Sequence, residues 1–447
     1  MRPKPPDPKP PDDLFRARLS QQIDPRHPLV RLAGLLDWRV FEARFGELYH
    51  PHVGRPGIPI RLMVGLGYLQ HTFGLSDEEV VARWVENPYW QYFCGFDYLQ
   101  LALPIDPSSL VRWRRRVGQD GIELLLQETI AAAQRSEAVK PQSLERVSVD
   151  TTVQPKAIAH PLDSRLYHRG REILVRLAKR HGVPLRQSYA RLGKRALRLA
   201  SRYAHARQMQ RARREIKRLK TYLGRVFRDV RRKLARRPEV PEHFAEALTR
   251  IERLLAQQRH DQNKLYALHA PEVACIAKGK AHKKYEFGAK VSVAVTNREG
   301  LVVGMQTYPG NPYDGQTLAP ARTQVGRLTG TTPARCYVDR GYRGHGVNGD
   351  TAVFVAGRRR GITPTIRREL RRRSAIEAMI GHMKLDGRLA RNHLKGSLGD
   401  AIHALLCGAG HNLRLILRHL ARLLRALLRL LAALDPEPNR PLLSAPN

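Results

Sequence analysis

The sequence predicts an α/β protein, in which a mixed β-sheet flanked by helices is joined to a helical N-terminal region and to a basic helical insertion. Strand patterns with a two-residue period begin at 146 and resume after 284, whereas apolar residues at three- and four-residue steps mark helices elsewhere. We expect five parts. They are a disordered arm at 1–27, a helical domain at 28–140, a sheet-containing core in two pieces at 141–164 and 271–434, the insertion at 165–270 and a flexible tail at 435–447.

Positive charge is the most unusual property of the composition. The 447 residues include 79 Lys and Arg but only 40 Asp and Glu, which gives a net charge of +39 and an isoelectric point of about 11.0. A field this positive attracts polyanions, and nucleic acid is the partner that we expect. A ribosome-associated protein and a protein bound to anionic lipid are the alternatives that share this charge.

The cysteines and the hydropathy indicate a reducing, cytoplasmic environment and no membrane partner. Cys94, Cys275, Cys336 and Cys407 stand far apart without a Cys-x-x-Cys pair, which argues against a zinc ribbon and against a disulfide framework. The N-terminus lacks a cationic segment followed by an apolar one, and no run of about 18 apolar residues could span a bilayer.

Two helix starts organise the region between 28 and 140. Ser76 and Glu79 form a capping box, in which their side-chain oxygens satisfy free backbone N–H groups. A second helix begins at Asp106-Pro107, because proline is favoured at the first helical position. Arginines at 112, 114, 115 and 116 cover much of this helix. Its basic face fits either a reader of DNA ends or a packing domain with a solvated arginine surface.

The strand patterns predict a sheet from distant parts of the chain. Val147, Val149 and Val153 alternate with polar residues and predict the first strand. The later strands are a hairpin over 284–308, with a turn at 297–300, and two short buried strands over 334–339 and 351–356. Helices are expected over 365–385 and 398–434.

The insertion carries most of the excess charge. Residues 165–264 contain 30 Lys and Arg against 8 Asp and Glu, which is +22 of the net +39. In 211–237, Leu219, Tyr222, Val226 and Val230 form one apolar stripe beneath a cationic surface. A solvated pair of charged helices is one interpretation. Contact with DNA is the one that we favour, because phosphates would neutralise the repulsion between these cations.

Three acidic residues stand where strands and a helix could bring them together. Asp150 alternates with the valines of the first strand and points away from their face. Asp339 ends a buried strand, and ligands of open α/β sheets gather at such carboxyl ends. Glu377 lies beside the apolar stripe of a helix. Each could alone be a loop cap or an exposed helix residue, but their occurrence in one sheet favours a shared site.

Carboxylates at one site favour metal-dependent phosphodiester chemistry. Two divalent ions about 3.5–4 Å apart activate the attacking oxygen and stabilise the leaving oxygen, and magnesium takes oxygen ligands. Arg373 and Lys384 share a helix side with Glu377 and would hold a DNA backbone over the site. His382 is interpreted as a residue touching DNA or solvent. Asp314 is interpreted as a turn residue, with a place near the site as the alternative.

Six blocks of the sequence resemble the bacterial insertion-sequence transposases of the DDE class, particularly the insertion-sequence-five group. The blocks are RPGIPIRLMVGLGYLQHTFGLSDEEVVARW (55–84), VDTTVQPKAIAHPLDSRL (149–166), AKGKAHKKYEFGAKVSVA (277–294), YVDRGYRGH (337–345), RRSAIEAMIGHMKLDGRL (372–389) and NHLKGSLGDAIHALLCGAGHNLR (392–414). Their order and spacing make the resemblance specific, and together they frame nearly the whole chain outside the arm and the insertion.

The resemblance implies a ribonuclease H-like core with the acidic triad Asp150, Asp339 and Glu377. These acids would hold two divalent ions, magnesium or manganese in its place. Similar transposases carry a tyrosine, an arginine and a lysine at fixed spacings around the glutamate. Arg373 and Lys384 fit that spacing, whereas Leu370 stands at the tyrosine position, and Ala378 follows Glu377 where relatives often have proline.

The resemblance also implies the reaction and the partners. Water would free a 3′-hydroxyl at the element end, and this hydroxyl would attack target DNA at the same triad. The expected partners are the terminal inverted repeats, target DNA and a second copy of the chain, as a dimer in the synaptic complex within the bacterial cytoplasm and nucleoid. The residues expected at the DNA are Arg373, Lys384, His382, Arg343 and Lys290.

Three alternatives share parts of this description. A metal-dependent nuclease without strand transfer would use the same triad, and a transposase-derived repressor would bind DNA without catalysis. A ribosomal or RNA-binding protein would share only the charge.

The last helix carries its own cationic pattern. The arginines Arg414, Arg418, Arg422, Arg425 and Arg429 follow three- and four-residue steps among leucines, which predicts one basic stripe. A helix of this kind can lie on a membrane surface. Packing on the core or on a second subunit is the interpretation that we favour.

Overall fold

The computed structural model describes residues 1–3, 16–237, 239–258, 260–277, 284–357 and 361–434, with side chains as far as residue 430. The expected arm lies partly, and the expected tail at 435–447 entirely, outside these residues.

The helices are α1 (Leu19–Gln22), α2 (Pro28–Leu35), α3 (Trp38–Gly46), α4 (Ile60–Phe73), α5 (Asp77–Glu86), α6 (Pro88–Phe93), α7 (Ser108–Arg135), α8 (Asp163–Arg180), α9 (Ala190–His205), α10 (Met209–Leu234), α11 (Glu242–Ala256), α12 (Asp314–Thr329), α13 (Pro364–Arg373), α14 (Ala375–Leu385) and α15 (Gly396–Leu434). The strands are β1 (Arg146–Pro155), β2 (Ala274–Ala277), β3 (Tyr285–Thr296), β4 (Val302–Tyr308), β5 (Arg335–Val338) and β6 (Ala352–Val355).

A six-stranded mixed sheet forms the centre of the fold. β3 pairs antiparallel with β1 along one side, and with β2 and then β4 along the other. β1 pairs parallel with β5, which in turn pairs parallel with β6. The sheet therefore changes from antiparallel to parallel pairing at β1, so that the strand carrying Asp150 lies between β3 and β5.

The predicted strands and helix starts are confirmed where the sequence pattern was strong. β1, the hairpin of β3 and β4, β5 and β6 all occupy the expected segments. Gly300 closes the hairpin with φ +76°, a conformation that glycine adopts without strain. Ser76 and Glu79 make the expected capping box of α5. β2, which is as short as β5 and β6, was not predicted.

The N-terminal helices and the sheet share one hydrophobic core. Phe41, Trp84 and Ile122 belong to the same buried cluster as Val149 of β1 and Leu405 of α15. Both α4 and α7 pack directly on α15. The boundary expected at residue 140 therefore does not separate two cores, and the N-terminal helices are built onto the sheet.

The basic insertion has a core of its own. Helices α8 to α11 pack on one another and form a second buried cluster. On α10, Leu219, Val226 and Val230 are buried and Tyr222 is half-buried, as the predicted apolar stripe requires. The remaining faces of α10 expose arginine and lysine to solvent.

Two expectations about helices are corrected by the structure. Helix α1 lies inside the expected arm, where Leu19 is fully buried. The helix expected over 365–385 is two helices, α13 and α14, with Ser374 between them. The arginine stripe of α15 begins against the core, as the favoured interpretation of this helix requires. Arg414 is half-buried, and its Nη1 donates to the carbonyl oxygens of His71 and Thr72, whereas Arg418, Arg422, Arg425 and Arg429 are exposed.

The far end of α15 is exposed, including Leu423, Leu427 and Leu430. Among the described residues, no helix combines the length and the apolar composition that crossing a bilayer requires.

A buried polar network joins the end of β1 to the start of α15. Lys156 follows β1, and its Nζ lies 2.6 Å from an oxygen of Asp400 and 2.9 Å from an oxygen of Glu272. The side-chain amide of Asn392 donates to the same Asp400 oxygen at 2.5 Å. Burial raises the pKa of Asp400, and the hydrogen bond and charge of Lys156 oppose this shift. These contacts fix α15 against the sheet just beyond the strand that carries Asp150.

Acid pH is expected to destabilise the fold through His411. This residue is buried on α15 with Nε2 3.1 Å from the Gly300 carbonyl oxygen, and burial followed by the charge of Arg414 lowers its pKa to about 4. The unfolded chain, with an ordinary histidine pKa of about 6.5, binds a proton that the folded chain does not. Stability is therefore lost as the pH falls from about 6.5 to about 4, by roughly 3 kcal/mol for this one group.

Urea denaturation at about pH 7 and about pH 4.5 measures this loss. The variant His411→Gln can still donate to the Gly300 carbonyl, and it is expected to lose less stability than the wild type between the two pH values. His419→Gln, on the same helix, is the matched control and should follow the wild type. Equal losses in His411→Gln and the wild type would contradict the assignment.

Candidate active site

Asp150 and Asp339 stand on neighbouring parallel strands. The pairing of β1 with β5 joins Val147 to Cys336 and Ser148 to Tyr337. Asp339 keeps an extended backbone, with φ −80° and ψ −178°, so the strand geometry continues to it. When this register is continued by two residues along each strand, Asp150 lies beside Asp339. Neighbouring strands are about 4.8 Å apart.

Backbone N–H groups hold both aspartates. An oxygen of Asp150 accepts from the backbone N–H of Thr151 at 2.7 Å. Asp339 caps a short 3₁₀ turn (Arg340–Tyr342), and its Oδ1 accepts from the Gly341 N–H at 2.9 Å. Bonds of this kind stabilise the ionised carboxylate and limit its rotation.

Asp314 brings a third carboxylate to the same place. It is the first residue of α12, and its Oδ1 accepts from the Thr151 hydroxyl at 2.8 Å and from Lys290 Nζ at 2.5 Å. A Cβ at Gly341 would lie 3.1 Å from an oxygen of Asp314 and 3.1 Å from an oxygen of Asp339. The two carboxylates therefore flank one point, and the absence of a side chain at Gly341 leaves room between them.

The phenol of Tyr342 lies within the field of these three acids. Tyr342 is fully buried in the 3₁₀ turn after Asp339. Burial, followed by the negative charge of Asp150, raises its pKa well above the ordinary value, and Asp314 and Asp339 add to the shift. The hydroxyl group consequently stays protonated at neutral pH.

Glu377 lies on the helix next to this group. Ile376, Ile380 and Met383 face the core, and α14 packs against β1. Glu377 itself is exposed. Within the described residues, the three acids Asp150, Asp339 and Glu377 are not a cluster whose ligand atoms all lie within 4.8 Å of one another. A site with two ions spreads its ligands more widely, because the ions themselves stand about 3.5–4 Å apart.

The residues expected at DNA occupy different environments. Arg343 and His382 are exposed, and His382 Nδ1 lies 3.0 Å from a carboxylate oxygen of Asp386. Arg373 and Lys384 are half-buried. Lys290 is only 5% exposed, and besides Asp314 it contacts Asn311 Oδ1 and the Pro312 carbonyl oxygen. Its burial corrects the expectation of a DNA contact, because this ammonium group is enclosed and holds Asp314.

Removing the Lys290 ammonium group is expected to destabilise the protein. In Lys290→Met the Asp314 carboxylate keeps its charge beside Asp339 but loses its cation, which costs about 3 kcal/mol for an ion pair with a buried member. The double variant Lys290→Met/Asp314→Asn removes the charge imbalance and should recover much of this loss. Urea denaturation of the wild type, both single variants and the double variant gives the coupling energy. Strictly additive effects would contradict the pairing.

Asp314 is a site residue that the sequence pattern alone does not identify. Asp314 follows Asn311 and Pro312, a setting typical of a turn, and that pattern contains nothing about Thr151 or Lys290. Its position becomes apparent only when α12 is placed against β1 and β3.

Two family models match this chain. Residues 17–116 match the family described as Transposase domain (DUF772), and residues 258–413 match the family described as Transposase DDE domain. The second segment contains Asp314, Asp339 and Glu377 and begins after Asp150. Helices α8 to α11 of the basic insertion lie between the two matched segments.

One curated relative is similar to a large part of the chain. It is a protein of Rhizobium meliloti described as "Uncharacterized protein ORF8 in nfe locus", with 60% identity over 197 residues, which are 44% of this chain and 95% of the relative. No solved structure matches the chain. With transposase domains matched on both sides of the insertion, and with two aspartates side by side at the centre of its sheet, this chain belongs to the DDE transposase family of insertion sequences.

Proposed function

We propose that this protein is a transposase of the insertion-sequence-five group that cleaves DNA at the ends of its element and joins the freed 3′-hydroxyl to target DNA. The observation that carries the proposal is the adjacency of Asp150 and Asp339 on parallel strands of a chain with a Transposase DDE domain. The order of the strands, with β4, β3 and β1 antiparallel and then β5 and β6 parallel to β1, supports a ribonuclease H-like core.

The family implies dependence on a divalent metal ion, and the donor groups fit a hard one. Asp150 and Asp339 offer carboxylate oxygens, which magnesium prefers to nitrogen or sulfur. We assign these two residues and Glu377 as the ligands of two magnesium ions, with manganese as a substitute. When bound, such ions activate the attacking oxygen and stabilise the charge on the leaving oxygen.

The chain itself contributes position and charge. The Gly341 N–H orients the Asp339 carboxylate, and Lys290 holds Asp314 against Thr151 so that the third acid does not add an unbalanced charge. Orientation of this kind lowers the barrier because the ligands do not reorganise during the reaction. Water is the nucleophile in the first step and the 3′-hydroxyl in the second, with no covalent link between protein and DNA.

DNA is proposed to cross the site beside α14. Arg373, Lys384, Arg343 and His382 are the side chains that we assign to its backbone. The Arg373 Nη1 atom is shielded from solvent and has no hydrogen-bond partner among the described residues. The terminal inverted repeats and the target are the two DNA partners, and the proposed setting is the bacterial nucleoid.

A second copy of the chain is proposed to join the complex, because two element ends must be held together. The exposed leucines Leu423, Leu427 and Leu430 of α15 offer an apolar surface for a dimer contact.

Strand transfer distinguishes this function from the alternatives. Purified protein with magnesium is expected to join a pre-cut 3′ end of the element's flanking repeat to plasmid DNA. A nuclease would degrade the DNA without joining it. Degradation without joining, or the absence of both reactions, would contradict the proposal. A repressor would keep its biological effect in Asp339→Ala, and an RNA-binding protein would prefer RNA in a salt titration.

A further inference from the structure

A second group of possible metal ligands lies outside the acidic site, between α4 and α15. It consists of His71 of α4 with His403 and Cys407 of α15, and one ligand atom of each lies within 4.8 Å of the others. All three side chains are buried. His403 and Cys407 are four residues apart on one helix, so both point to the same side. Histidine pairs at this helical spacing are known zinc ligands, and a cysteine can take one of the two places.

The contacts of the two imidazoles leave a nitrogen of each free for a ligand. His71 Nδ1 lies 3.1 Å from the Gly67 carbonyl oxygen. Because a carbonyl only accepts, this nitrogen carries the proton, and Nε2 keeps its lone pair. A histidine that binds a metal typically donates its other N–H to a backbone carbonyl or a side-chain oxygen, and His71 satisfies this condition.

Gln154 provides the corresponding contact for His403. Its side-chain amide lies 2.7 Å from His403 Nδ1. Gln154 is 1% exposed, and its Oε1 has no hydrogen-bond partner among the described residues. No hydrogen bond to Oε1 therefore fixes the orientation of the amide group. Rotating this group by 180° lets Oε1 accept from Nδ1–H of His403. His403 Nε2, which lies 3.9 Å from Cys407 Sγ, then keeps its lone pair.

The Cys407 thiol would supply the third ligand. Its Sγ lies 3.0 Å from the Gly387 carbonyl oxygen, to which the thiol donates. A bound cation would displace the thiol proton to solvent and bind the thiolate.

We propose that His71, His403 and Cys407 bind one zinc ion. Two imidazole nitrogens and one thiolate suit zinc, whereas magnesium requires oxygen ligands. A cavity of about 320 Å³ borders the cluster and is lined in part by Asp77, Arg388 and His393. Water from this cavity can occupy the fourth position of the tetrahedral ion. The absence of a Cys-x-x-Cys pair excludes a zinc ribbon but not a site assembled from two helices.

The ion would connect three parts of the fold. His71 belongs to the N-terminal helices, and His403 and Cys407 belong to the helix that covers the sheet. Gln154 lies on β1, four residues after Asp150. Zinc at this position therefore stabilises the arrangement of the N-terminal helices on the strand that carries the candidate active site, independently of whether that site is catalytic.

Metal analysis of the full-length protein tests the proposal. The wild type, loaded with zinc and dialysed against metal-free buffer, is expected to retain about one zinc per chain, as one His₂Cys site predicts. Cobalt in place of zinc should give the near-ultraviolet charge-transfer band of a Co²⁺–thiolate bond. Cys407→Ser should lose the retained zinc and this band, whereas Cys336→Ser, which removes another buried thiol, should keep both.

The cobalt band separates this site from the carboxylates, because carboxylate oxygens do not give it. The proposal is overturned if the wild type retains no zinc and shows no thiolate band, or if the band persists in Cys407→Ser. Should Cys407→Ser fail to fold, the wild-type cobalt spectrum and the zinc content of His71→Gln decide the question. Neither measurement depends on DNA cleavage.

Discussion

Asp339→Asn is expected to abolish DNA cleavage by the full-length protein, with a loss on the order of 10³-fold or more. Asparagine has nearly the same shape and retains an oxygen that can accept from the Gly341 N–H, so the 3₁₀ turn should persist. What disappears is the negative charge beside Asp150 that a divalent ion requires. Asp150→Asn should have an effect of the same size for the same reason.

Cleavage of a labelled DNA fragment carrying the element's flanking repeat, with magnesium, measures this loss. Asp350→Asn is the matched control, since Asp350 is an exposed aspartate in the loop that follows the site. DNA binding should survive in all three variants, because the substitutions remove repulsion from phosphate. Cleavage by Asp339→Asn at close to the wild-type rate would exclude Asp339 from the metal site.

Neutralising the exposed face of α10 is expected to weaken DNA binding on the order of 100-fold at about 0.1 M salt. Arg214, Lys217 and Arg228 are exposed and stand three and eleven residues apart, about one and three helical turns, so they lie on one side of the helix. The triple variant with glutamine at these positions should also lower the slope of log affinity against log salt, by about one per lost phosphate contact.

A second triple variant controls for the loss of net charge. Arg231 and Arg232 are exposed and Arg250 is half-buried on the same insertion, but each is already paired with a carboxylate, of Glu252, Asp229 and Glu246 respectively. Their replacement by glutamine removes the same formal charge and should change the affinity and the salt slope much less. Equal effects of the two triple variants would show that Arg214, Lys217 and Arg228 contribute only through the net charge of the protein.

The strands and two of the site acids were predictable because their signals are local. Valines at alternate positions identify β1, and Asp150 and Asp339 are recognised from their places within and after buried strands. The role of Asp314 was not predictable, since it depends on Thr151, 163 residues earlier in the chain. The burial of Lys290 was missed for the same reason, as its partners come from the loop before α12.

Other features required tertiary packing to appear. Neither glycine nor proline marks the break between α13 and α14 at Ser374. The common core of the N-terminal helices and the sheet arises from contacts of α4 and α7 with α15. His71 approaches His403 and Cys407 through the same packing, so no spacing in the sequence indicates that cluster.

The most direct test of the proposed metal centre concerns Glu377, which lies on a different element from the two aspartates. Glu377→Cys replaces an oxygen ligand by a sulfur ligand, which manganese accepts better than magnesium. Ala378→Cys puts the same thiol one position further along α14 and serves as the control. If Glu377 binds the ion, Glu377→Cys should fail to cleave the element end with magnesium and recover cleavage with manganese, while Ala378→Cys cleaves with both. If Glu377→Cys cleaves the element end with magnesium at the wild-type rate, Glu377 does not belong to the metal site.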